Sequence, residues 1–329
     1  MGQAAGRDKK GAGGLAMKMF AVDIHLGYRC NNNCVHCIVA GVREKLIREG
    51  KPTDRTTDEI KDIIDKAAGD GADKISFTGG ETTIRPDFLE LLSYVKEKGI
   101  KMGLQTNGRA FSMQDFADKV MDIAPDMNIE IAVHHADPKM HDNVTRVSGS
   151  ARQTTEGIKN LRDRGAKINL KTVVTRFNYN NLKDLVQMAS GLGIGQFDIV
   201  YPHGLGNARK YWKDIVVPYT GIIRYVTDAI DEGEKTGVHV MLEGIPFCFL
   251  EGYEDHAREN RMKILESEGS RKDLCFLVSG QSDWKDARQG MKTKPETCRT
   301  CRYFDACEGP WEEYPELNGA DEFVPVKRK

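Results

Sequence analysis

The stretch "FAVDIHLGYRCNNNCVHC", residues 20–37, runs a short strand pattern directly into three cysteines within eight positions. A protein built of alternating strands and helices places its reactive loops at strand ends, so Cys30, Cys34 and Cys37 stand where function is expected. Three uses compete for such a set. Tight clustering without an export signal speaks for metal over a disulfide. Structural zinc takes four protein ligands, and His36 is the available fourth, although its neighbour Cys37 strains simultaneous coordination. Three soft thiolates also suit three irons of a cubane cluster, leaving the fourth iron open for chemistry.

Outward from this stretch, β-branched runs alternate with amphipathic segments of helical length. Strands are expected at 20–26, 74–78, 101–106, 128–134, 167–174 and 197–201, and helices at 57–68, 87–98, 114–123, 152–164 and 180–190. "TTDE" opens the first helix as a capping box, and Gly99, Gly165 and Gly191 close three others. This alternation predicts an α/β fold, a partial (β/α)6 TIM-like barrel over residues 20–235 with a small cysteine-rich C-terminal extension over 236–329. A further helix is expected around 218–233 and a strand at 237–244. Residues 251–297 are polar and read poorly as core. Residues 1–19, rich in Gly, Ala and Lys, read as a flexible tail.

A chain of 329 residues with 40% hydrophobic content can bury one sizeable core. Lys and Arg number 48 against 49 Asp and Glu, so no overall field attracts nucleic acid or an anionic membrane. No run approaches the ~18 apolar residues of a membrane span. A reducing, cytoplasmic setting suits the cysteine usage.

C-x3-C-x2-C with an aromatic residue, here His36, before its last cysteine resembles the signature of the radical S-adenosylmethionine (SAM) superfamily. The resemblance implies that Cys30, Cys34 and Cys37 hold a 4Fe-4S cluster whose open iron chelates SAM. One electron, from a reductant such as flavodoxin or ferredoxin, then yields a 5′-deoxyadenosyl radical that abstracts a substrate hydrogen. "TGGE", Thr78, Gly79, Gly80 and Glu81, resembles the family's glycine-glycine-glutamate element after the second strand. Glycines there admit close approach, and the carboxylate accepts from the SAM ammonium. "QTNG", "HHAD", "TRFN" and "YPHG" fall at later strand ends, and the family's pattern implies contacts to SAM or substrate by Asn107, His134 and Arg176. Tyr201, His203, Asn207 and Trp311 are further barrel-mouth residues for substrate.

Cys298-x2-Cys301-x5-Cys307 with Gly309 resembles the auxiliary-cluster segments called SPASM and twitch domains. A full SPASM domain has another cysteine three residues on, which Glu308 to Trp311 do not supply. The cysteine count then implies one auxiliary 4Fe-4S cluster, with Cys248 chosen as fourth ligand over its rival Cys275, which, flanked by apolar residues, reads as a buried thiol; three ligands instead of four would leave an open iron for substrate. A zinc ribbon is the alternative for this group. The implied chemistry is oxidative modification of a peptide or protein, with the auxiliary cluster accepting an electron. The alternatives are a small-molecule enzyme of cofactor or natural-product biosynthesis, and a non-catalytic iron–sulfur redox module that cleaves no SAM. Only about 20 residues precede the first strand, short of the ~80-residue leader-binding domain of many peptide-modifying relatives.

Overall fold

The computed structural model describes residues 18–277 and 279–327. The expected tail at 1–19 lies outside the described residues except for Lys18 and Met19. One sheet organises the chain. Its strands are β1 (Phe20–Gly27), β2 (Lys74–Gly79), β3 (Lys101–Thr106), β4 (Asn128–Ala132), β5 (Lys167–Val173), β6 (Gln196–Val200), β7 (His239–Glu243), β8 (Arg271–Phe276) and β9 (Gly280–Asp283). They lie in the order β7-β6-β5-β4-β3-β2-β1-β8-β9, parallel from β7 to β8, with β9 folding back antiparallel on β8. The end strands β7 and β9 are not neighbours, so the barrel is open.

Helices cover the outside: α1 (Ala40–Arg48), α2 (Thr57–Gly69), α3 (Phe88–Glu97), α4 (Gln114–Ile123), α5 (Pro138–Thr145), α6 (Ser150–Asp163), α7 (Leu182–Gly191), α8 (Gly206–Lys210), α9 (Trp212–Ile215), α10 (Tyr219–Thr236), α11 (Arg258–Ser267), α12 (Trp284–Gly290) and α13 (Glu313–Asn318). Local chemistry starts and stops them. Thr56 caps α2 through the Glu59 amide while the Glu59 side chain accepts from the Thr56 amide, and Gly237 ends α10 at φ 76°. The apolar stripes Ile60, Ile64 and Ala67 of α2 and Leu91, Leu92 and Val95 of α3 pack on outward-facing Val22, Ile24, Ile75 and Phe77.

Two features depart from the expected six strands. The strand at 237–244 is β7, which pairs with β6, so the sheet crosses residue 235 without a break. Residues 251–297, which read as poor core, supply α11 and β8; Leu274 and Cys275 are buried, and β8 pairs in parallel with β1. Charge hid this strand. Lys272 pairs with buried Asp23 at 2.6 Å, and exposed Arg271 with buried Asp273 at 2.6 Å, so the charges of "RKDLCF" have partners within the fold.

The inner face of the barrel is polar. A cavity of about 250 Å³ near the strand starts is lined by Asp23, Lys74, Ser76, Glu130, Asn169 and Asp198, with α11 across its floor. Arg258 of α11 pairs with Asp198 and lies 3.6 Å from Glu243 and 4.0 Å from Glu130, which Lys171 meets at 3.1 Å. Paired charges of this kind keep the lumen open where branched apolar side chains would fill it.

Candidate active site

The cysteine loop leaves β1 at Gly27 and is held on both sides by backbone. Gly80 N–H donates to the Gly27 carbonyl at 2.8 Å and Glu81 N–H to that of Arg29 at 2.8 Å, so "TGGE" continues the β1–β2 pairing up to the cysteines. A Cβ on Gly80 would lie 2.1 Å from the Arg29 oxygen, and one on Gly79 (φ 126°) 2.3 Å from the Gly27 oxygen. The two glycines are therefore required by the chain segment that carries Cys30.

Glu81 is 3% exposed, and burial pushes its carboxyl above the usual range against the hydrogen bonds that lower it. Its Oε1 accepts from the Thr83 and Thr106 hydroxyls at 2.6 and 2.7 Å, and its Oε2 from the Asn107 amide at 2.7 Å. Thr78 donates to Gln105 at 2.9 Å.

The three asparagines tie the loop down. Asn31 Oδ1 accepts from Asn107 Nδ2 at 2.7 Å, Asn32 Oδ1 from Arg109 at 2.7 Å, and Asn33 Oδ1 from Asn207 Nδ2 at 3.2 Å. Arg109 also donates to the Asn31 carbonyl at 2.5 Å and to Gln153 at 2.7 Å. Asn207, a substrate-side residue by sequence, instead binds the loop backbone: it donates to the Cys34 and Cys37 carbonyls at 2.8 and 2.9 Å. Sequence reasoning passed over Arg109 and Thr106; their only signal is adjacency to Asn107.

The three thiols face one another. Burial and the neighbouring Cys37 and Cys30 raise the Cys34 thiol, and burial pushes Cys30 up to about 11, against the Asn32 amide that donates to its sulfur at 3.3 Å. His36 and His134 meet edge-on, ring centroids 4.6 Å apart, and His141 lies 5.5 Å beyond His134 and accepts from its amide at 3.2 Å. Burial lowers all three histidines, His36 and His141 to about 4. The Arg176 amide binds the Ile215 carbonyl at 2.6 Å and its guanidinium that of Val216 at 3.2 Å.

A second group of cysteines follows β7. Burial, then the neighbouring Cys307, Cys298 and Cys301, push the Cys248 thiol up to about 12. Cys307 Sγ accepts from the Gly309 and Phe247 amides at 3.3 and 3.5 Å. Cys275 stands apart in β8, facing a cavity of about 170 Å³ with Phe20, Val22 and Ile63. Tyr201 and Trp311 are buried, and Trp311 donates to the Tyr201 carbonyl at 3.3 Å; His203 stacks on Trp311 at 4.3 Å and lies 3.1 Å from Glu313. These residues join the C-terminal segment to the barrel.

Among the described residues, Cys34, His36 and His134 are the one set of three or more metal-capable side chains with ligand atoms all within 4.8 Å. Neither cysteine set is that compact, whereas tetrahedral zinc with Zn–S bonds near 2.3 Å holds its sulfurs about 3.8 Å apart. Soft thiols at wider spacing fit a multi-iron cluster.

The Radical SAM superfamily model matches residues 24–190, and the chain belongs to that superfamily. An AdoMet-dependent heme synthase of Nitratidesulfovibrio vulgaris is 32% identical over 164 residues, covering 50% of this chain and 43% of the relative. The mycofactocin maturase MftC of Mycobacterium ulcerans is 30% identical over 191 residues, covering 58% and 49%. The chain thus matches about half the length of these relatives. Among solved structures, anSMEcpe with bound AdoMet has a TM-score of 0.63 at 13% identity, covering 94% of this chain and 93% of that one. Streptococcus suis SuiB bound to precursor peptide SuiA has a TM-score of 0.61 at 17% identity, covering 94% and 75%. At these identities the likeness speaks for the fold alone. No helix among the described residues is long and apolar enough to cross a membrane.

Proposed function

We propose that this chain is a radical SAM enzyme that oxidatively modifies a peptide or protein, with a 4Fe-4S cluster at Cys30, Cys34 and Cys37 and an auxiliary one at Cys248, Cys298, Cys301 and Cys307. The observation that carries this reading is the set of three neighbouring thiols at the β1 exit, one short of a closed ligand set, with Cys298, Cys301 and Cys307 acting on Cys248 beyond β7. When bound, the first cluster supplies one-electron cleavage of the SAM sulfonium. The chain's own part is to position and shield. Glu81 Oε2, which accepts only the Asn107 amide, keeps a lone pair for the SAM ammonium. Asn107 and Arg109 fix the loop, while His36 and His134 present aromatic faces beside it. Arg176, exposed after β5 and bound to Val216 through a single donor, keeps its other donors for SAM or substrate.

The peptide reading draws support from the maturase among the relatives. A tetrapyrrole or other small molecule is the second reading, favoured by the heme synthase match. Iron counting after anaerobic reconstitution tests the two-cluster assignment. About eight irons per chain are expected, falling to about four when Cys298, Cys301 and Cys307 are replaced by Ala, with SAM cleavage kept and substrate turnover lost. About four irons in the unaltered chain, or loss of SAM cleavage with the C-terminal set, would overturn it.

A further inference from the structure

Cys34, His36 and His134 bring one ligand atom each within 4.8 Å of one another, from a loop and a strand exit far apart in sequence. Nδ1 of His36 and Nδ1 of His134 are both buried, and among the described residues neither has a hydrogen-bond partner. His134 is 3% exposed, so water does not readily satisfy it. His141, alongside, shows the ordinary solution: its Nδ1 accepts from the His134 amide. Two imidazoles, each with an orphaned nitrogen and each with a ring nitrogen near one thiol, form a donor set in want of an acceptor.

We propose that in the chain without its first cluster, Cys34, His36 and His134 form a site for a single borderline-soft divalent cation, zinc above all, with water as fourth ligand. One thiolate and two imidazoles match zinc's preference, and no carboxylate enters the set to favour a harder ion. Binding releases the Cys34 thiol proton to solvent and oxidises nothing. Cys37, adjacent to His36, stays outside, so zinc holds one of the three cluster cysteines and leaves two idle. Cys34 is common to both sets. Zinc and the cluster therefore exclude each other, and zinc acts as a block on cluster loading. The block rests on the reading of Cys30, Cys34 and Cys37 as cluster ligands, whereas zinc binding does not.

The test is an anaerobic titration of the metal-free full chain with zinc against a chromophoric chelator, and with cobalt for its thiolate charge-transfer band. To silence the C-terminal thiols, the titration is run on the C298A/C301A/C307A chain, with C34A, H134Q and H36F added singly. H36F keeps an aromatic ring in the loop. One tight equivalent is expected in the parent. Each added substitution should weaken it more than about 100-fold, beyond the loss typical of an outer-shell partner. Iron uptake at the first site should survive in H36F and H134Q and become resistant to added zinc. Unchanged zinc affinity in H36F and H134Q would overturn the proposal. So would joint loss of zinc and iron in both, since the histidines would then serve the loop and not the ion. A parent that binds zinc as expected but takes no cluster would sink the cluster reading and leave the zinc site standing.

Discussion

A methyl group at Gly80 would sit 2.1 Å from the Arg29 carbonyl oxygen, an atom that already accepts the Glu81 amide. G80A must therefore part the two segments that carry the cysteine loop. The expected loss is about 1–3 kcal/mol in urea unfolding, with depleted iron at the first site; unchanged stability and iron would place the loop's support elsewhere. Arg109 makes a related case. Its guanidinium reaches the Asn31 carbonyl, Asn32 and Gln153 together, a fork that a lysine cannot reproduce. R109K should leave buried acceptors unpaired, at about 1–3 kcal/mol, and shorten the lifetime of the bound cluster, measured as iron release to a chelator. At this scale the sequence discloses the thiols and little of what holds them. "CNNNC" reads as a turn, while the separate jobs of its asparagines depend on Asn107, Arg109 and Asn207, which only the fold brings near.

Helices α5 and α6 meet through Asp142, whose carboxylate accepts from the Gly149 and Ala151 amides at 2.6 and 2.8 Å and from the Ser150 hydroxyl at 2.8 Å. Burial works against the charge, but these bonds hold its pKa below the usual aspartate value. A depressed carboxyl lends stability that is complete above its unfolded pKa and lost as pH falls through the folded one. D142N should thus cost about 1 kcal/mol at neutral pH, the worth of a helix N-terminal cap. That difference should shrink below about pH 4, the ordinary aspartate range. Thermal unfolding of both chains between pH 3 and 7, a window of about four units around that range, checks the sign; a gap that widens on acidification would contradict it. The elements themselves were mostly legible. β1 to β6 announce themselves by β-branched runs against a 3.6-residue helical stripe, because their outward faces are apolar. β8 does not: Lys272 answers Asp23 on the adjacent strand β1 and Arg271 answers Asp273 along its own strand, pairings invisible to hydropathy.

In the whole molecule the sheet is the frame that relates the two cysteine sets. The first lies at the exit of β1, and Cys248 of the second follows β7 in a short 3-10 turn. Trp311, buried and bound to Tyr201, fastens the C-terminal segment to the end of β6. W311A should cost about 3–5 kcal/mol and lower iron at the second site before the first; equal loss at both sites would argue against a local fastening. Membership of the radical SAM superfamily, the polar lumen and the incomplete thiol set converge on one central claim, that the first cysteines serve SAM cleavage. The most direct measurement is 5′-deoxyadenosine formed by the anaerobically reconstituted chain with SAM and dithionite. The account predicts the product in the unaltered chain and none when Cys30, Cys34 and Cys37 are replaced by Ala. No product from a chain carrying about four irons at the first site would contradict it.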